Sequence, residues 1–75
     1  MYSKIVKDER RKLGKELRKL REQSKLSFYR IHQEINIHAS QIRDIESGST
    51  SYTIDSYIKL KYLYTKVIQQ SAEKV

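Results

Sequence analysis

Ser27-Phe28-Tyr29-Arg30-Ile31-His32-Gln33-Glu34-Ile35-Asn36-Ile37-His38-Ala39-Ser40-Gln41-Ile42-Arg43-Asp44-Ile45-Glu46-Ser47-Gly48 is the stretch whose reading decides the fold. Ser27 has the side chain of a helix N-cap, a hydroxyl that accepts from a free backbone N–H. Position 30 is Arg, so no full capping box forms. Phe28, Ile31 and Ile35 then supply the apolar face of a short helix. Asn36, tolerant of the left-handed region, suits its end, and Ile37 anchors the turn. A further short helix from Ala39 to about Ser47 turns Ile42 and Ile45 inward, and Gly48 stops it. Two such helices joined by about three residues match helix-turn-helix spacing. With the isoleucines inside, Ser40 and Asp44 project roughly opposite them, flanked by Ala39, Gln41 and Arg43. A face of small and polar side chains is what a helix needs to enter the major groove. Ordinary helical hairpins share the spacing.

Upstream, Leu13, Leu17 and Leu20 form a narrow apolar stripe that predicts a helix from about Asp8 to Gln23. Asp8 and Glu9 suit its positive end. Met1 to Lys7 are expected to be extended or frayed, unless Ile5 and Val6 lengthen the stripe. Downstream, Thr53 is a cap for another helix carrying Ile54, Tyr57, Ile58, Leu60 and Tyr64. The segment 65–75 is open: a continuation, a fifth helix, or a dimer contact through Tyr62, Tyr64, Val67 and Ile68. The expectation is an all-α bundle of four to five short helices in one domain over 1–75, with its core at about 8–64.

The composition agrees. The chain has no Pro and two Gly, Gly14 and Gly48, so breakers are scarce. It has no Cys, which excludes disulfides and thiolate metal sites. No apolar run approaches the ~18 residues a membrane span needs, and the N-terminal residues are charged; a cytoplasmic setting is expected. The net charge of +7 is uneven: eleven Lys/Arg against four Asp/Glu up to residue 30, then five of each. Such asymmetry suits a polyanionic partner, or else simply solvates a helix.

Leu13-Gly14, Leu17-Arg18-Lys19-Leu20-Arg21-Glu22, Leu26-Ser27, Ile42, Ile45-Glu46-Ser47-Gly48, Thr53-Ile54 and Tyr57-Ile58-Lys59-Leu60 together resemble the phage repressor and Cro type of helix-turn-helix, the XRE family. The similarity spans about Leu13 to Tyr64. It implies a lambda-repressor-like bundle, helix 39–47 as recognition helix, and a structural ion pair between Arg21 and Glu46. It implies base contacts from Ala39, Ser40, Arg43 and Asp44. Phosphate contacts would fall to Phe28, Tyr29, His38, Gln41 and the loop Ser49, Thr50, Ser51 and Tyr52, with non-specific attraction from Arg10, Arg11, Lys15 and Arg18. The chain departs from the family pattern at Phe28 (commonly Gln), His32 (commonly Ala), Asn36 (commonly Gly) and His38 (commonly Ser), and Asp44 is awkward beside phosphates.

The implied function is a sequence-specific regulator of transcription, of bacterial or mobile-element type, binding double-stranded DNA as a homodimer. Two readings compete: an antitoxin that binds DNA and a toxin, and a protein-interaction module that keeps the fold without binding DNA. A membrane-surface role is weaker, since the stripe of the first helix is narrow. His32 and His38, without Cys or clustered carboxylates, make a poor metal site, and no cofactor is expected. The tyrosines suit packing better than base stacking. No nucleophile elbow, catalytic triad or glycine-rich loop is present, so no catalytic residues are expected.

Overall fold

No proline or glycine interrupts the chain before Gly14, and the first helix uses that freedom. The computed structural model describes residues 2–49 and 52–73 and contains four helices: α1 (Tyr2–Ser24), α2 (Phe28–Ile35), α3 (Ala39–Ser47) and α4 (Ile54–Glu73). The described residues are all-helical, as expected. The N-terminus differs from expectation: residues 2–7 are helical, not extended. Val6 lies one heptad before Leu13, and both line one groove with Tyr57 of α4, so the stripe does continue upstream. The C-terminal segment also resolves one way. α4 runs through position 65 to Glu73 without a break, so no fifth helix exists among the described residues.

Each helix contributes to one core. Leu17 comes from α1, Ile31 from α2, Ile42 and Ile45 from α3, and Leu60, Leu63 and Tyr64 from α4, with Ile37 of the connecting turn beside them. Burying an Ile or Leu side chain fully contributes roughly 1.5–3 kcal/mol, and these eight residues carry most of that term. α4 has two apolar stripes. Leu60, Leu63, Tyr64 and the half-buried Val67 face the core, whereas Ile54, Ile58 and Tyr62, four residues apart, face solvent. Sequence periodicity merges the two into one broad apolar surface of Ile54, Tyr57, Ile58, Leu60 and Tyr64, and Leu63 is overlooked.

The helix ends follow local chemistry. α1 stops where Lys25 adopts φ 60° and its N–H donates to the Arg21 carbonyl at 3.1 Å. Ser27 caps α2, accepting from the Arg30 N–H at 3.1 Å. Asn36, at φ 58°, closes α2 by donating its N–H to the His32 carbonyl. Thr53 caps α4, its hydroxyl accepting from the Ser56 N–H at 3.2 Å.

Candidate nucleic-acid interface

α3 is positioned chiefly by α1. At Gly14 the two helices touch: a Cβ built there would lie 2.6 Å from the Ile45 carbonyl oxygen and closer still to that of Glu46. Only glycine permits this approach. One turn earlier on α1, the backbone and side chain of Arg11 pack on Gly48, which ends α3 at φ 73°. One to two turns later, Arg21 reaches Glu46 in a two-pronged ion pair. Its Nε donates to Oε2 at 2.6 Å and an Nη to Oε1 at 3.1 Å. The Glu46 side chain is almost wholly covered, at 9% exposure. The hydrogen bond to Glu46 holds the Arg21 pKa above its ordinary value, against the opposing effect of burial. The Tyr64 hydroxyl is buried close by without a hydrogen-bond partner among the described residues. Burial first, then the Glu46 charge, push its pKa far up, against the Arg21 charge.

The orientation of α3 that results buries Ile42 and Ile45 and exposes Ser40, Gln41, Arg43, Asp44 and Ser47, with Ala39 half-buried at the start. The expected reading face is therefore free of covering residues. His38 precedes α3 as its N-cap residue, and the capping is shared: its N–H donates to the Gln41 side-chain oxygen at 3.0 Å. Gln41, expected as a phosphate contact, is thus partly engaged in capping the start of its own helix. His32 and His38 stack with ring centroids 4.4 Å apart. That is how the short connection accommodates an imidazole where a small residue was expected.

Phe28 is the main surprise. Its ring is half-buried at the start of α2, packed against the core. The Arg21 guanidinium carbon lies 4.8 Å from its centroid, and that of Arg43 lies 5.1 Å away. A guanidinium on an aromatic face gains about 0.5–1 kcal/mol at exposed sites. The sequence places Phe28 on the apolar face of α2, where it is found; no one-dimensional pattern signals that two arginines, one from α1 and one from α3, meet on its ring.

The remaining expected contacts divide. Arg11, Lys15 and Arg18 are exposed on α1. Arg18, 3.7 Å from Glu22, also lines a cleft with Arg43 and Ser47, so it stands beside α3. Tyr29 is exposed and its hydroxyl accepts from the Gln33 amide at 3.0 Å. Ser49 is exposed, its hydroxyl 3.0 Å from that of Ser47. Tyr52 and Arg10 are more enclosed than the others. The Tyr52 hydroxyl and the Arg10 Nε are both buried and lack hydrogen-bond partners among the described residues; the two residues line a groove between α1 and the start of α4. Burial raises the Tyr52 pKa, with a further rise from Tyr57 and a smaller lowering by Arg10. Neither buried atom is available to a phosphate. Thr50 and Ser51 lie outside the described residues.

The expected dimer segment is also partly consumed. Tyr64 is fully buried and Val67 and Ile68 are half-buried, leaving Tyr62 exposed. Among the described residues there is no group of three or more His, Cys, Asp or Glu placed to hold a metal ion, and no helix is long and apolar enough to cross a membrane. No protein-family model, curated protein or solved structure matches the chain.

Proposed function

We propose that this protein binds double-stranded DNA sequence-specifically, laying α3 in the major groove, and acts as a transcriptional regulator of the repressor and Cro type. One observation carries the reading. α3 turns a polar, uncovered face of Ser40, Arg43, Asp44 and Ser47 outward while Ile42 and Ile45 anchor it. The cationic side of α1 stands next to that face through Arg11 and Arg18. A short helix with such a face fits the groove, and adjacent cations attract phosphates whatever the sequence. In this reading Arg43 meets a base edge, the Phe28 and Tyr29 amides at the start of α2 approach a phosphate, and Ser49 contacts the backbone. Arg21 and Glu46 are scaffold.

The test is a duplex titration at several salt concentrations, followed by selection from a random DNA pool. Affinity is expected to fall with salt at a log–log slope of about −0.9 per phosphate contacted. Arg43→Ala should relax base preference by roughly 1–3 kcal/mol, while Lys15→Ala should weaken all sequences alike. Equal binding of every duplex by Arg43→Ala and wild type would refute the reading face. A palindromic selected site would indicate two copies per operator. The protein-interaction reading has one observation in its favour: Ile54, Ile58 and Tyr62 on α4, and Tyr2, Ile5 and Val6 on α1, are large apolar residues left exposed. Absence of duplex binding at low salt would favour it.

A further inference from the structure

We infer that Phe28 is a specificity-positioning residue, the platform that holds Arg43 in place to select a guanine. The inference rests on the reading that α3 enters the major groove. It starts from a contrast between the two arginines at the ring. Arg21 commits its Nε and one Nη to Glu46. Arg43 takes part in no ion pair or side-chain hydrogen bond among the described residues. Its carbon lies over the Phe28 ring, 5.1 Å from the centroid, so it is held by an aromatic ring and not by a carboxylate.

That difference matters chemically. A guanidinium that rests on a ring and has no acceptor among the described residues keeps its N–H fork unspent, and an unspent fork is what matches the O6 and N7 acceptors of guanine. A free Arg on an exposed helix has many rotamers and loses roughly 2 kcal/mol of side-chain entropy when it is fixed. Cation–π contact with a ring that is itself packed against the core removes part of that loss before DNA arrives. The neighbouring charge is also settled: Glu46 neutralises Arg21, so the second guanidinium at the ring does not add an uncompensated cation beside Arg43. Asp44, the adjacent carboxylate on α3, makes no ion pair with Arg43 among the described residues.

The experiment compares base-substitution profiles on the duplex that wild type selects, for Phe28→Leu, Phe28→Trp, Arg43→Ala and the Phe28→Leu/Arg43→Ala double variant, each checked for folding by circular dichroism. Wild type should discriminate guanine at one base pair by about 5- to 150-fold. Phe28→Leu should lose most of that discrimination at this base pair while keeping the profile elsewhere and its salt slope. Phe28→Trp should restore it, and the double variant should discriminate no worse than Arg43→Ala alone. An unchanged Phe28→Leu profile at the Arg43-dependent base pair overturns the inference and leaves the DNA-binding reading standing. Uniform loss across all positions, unrescued by Trp, also overturns it, because it marks Phe28 as a packing residue only. Failure of wild type to select any duplex overturns the inference together with the reading beneath it.

Discussion

Gly14→Ala tests the junction on which the pose of α3 depends. In most exposed helices a Gly to Ala change stabilises by about 1 kcal/mol, because Ala restricts the unfolded chain and favours the helix. At Gly14 the added Cβ would meet two backbone carbonyls of α3, at 2.6 Å for Ile45 and closer for Glu46. Ordinary contact begins at 3.4 Å, so α1 and α3 must separate by about 0.8 Å or more. Backbone atoms cannot rotate aside as a side chain tip can. Overpacking of this kind costs typically 1–3 kcal/mol, and opposed backbone puts it at about 3. After the helical gain of about 1 kcal/mol, a net destabilisation of about 2 kcal/mol remains. For a domain of this size that lowers Tm by roughly 8–16 °C. Thermal and urea unfolding followed by circular dichroism measure it, with exposed Lys15→Ala as the control expected to stay within about 0.5 kcal/mol of wild type. If Gly14→Ala melts at or above wild type, the close crossing is wrong, and with it the argument for the orientation of α3.

Arg21→Ala and Glu46→Ala should each cost about 2–4 kcal/mol, somewhat below a fully buried pair because Arg21 is partly exposed; a double-mutant cycle in urea should show strong coupling, and additive losses would contradict the pairing. Tyr64→Phe removes a buried hydroxyl with no partner, so it should be neutral or stabilising by up to about 1 kcal/mol. The folded-state pKa of Tyr64 is raised above its unfolded value, so its contribution is complete below about pH 10 and is lost as pH rises further. The wild type should therefore lose more stability above that pH than Tyr64→Phe does, and identical alkaline curves would contradict this. Ser27→Ala should cost about 0.5–2 kcal/mol through loss of the α2 cap, read from the same urea curves.

The four helices were legible because their caps and stripes are local. Ser27, Asn36, Gly48 and Thr53 each act within a few residues of themselves, and the structure finds them in those roles. The pairing of Arg21 with Glu46, 25 positions apart, was implied only by resemblance to a family. The helical turns before Asp8 stay open in the sequence because Ile5 and Val6 sit among charged residues, where a short stripe is hard to tell from noise. α4 defeated periodicity for the opposite reason, since it is apolar on two sides and burial of one is decided by α1. Long-range meetings were illegible altogether. The burial of the Tyr52 hydroxyl and the convergence of two arginines on Phe28 depend on how whole helices are set against one another, and no spacing rule encodes that.

The chain has only two glycines, and both serve the seam between α1 and α3: Gly14 admits the carbonyls of α3, and Gly48 admits Arg11. α3 is in effect welded to the longest helix. α2 is tethered more lightly, with a single fully buried residue, Ile31, and a cap at each end. Amide protons of α2 should accordingly exchange with solvent sooner than those of α3. The rod that would touch DNA thus stays fixed to α1 even where α2 opens, with the Phe28 ring, packed on the core, among the last of its contacts to loosen.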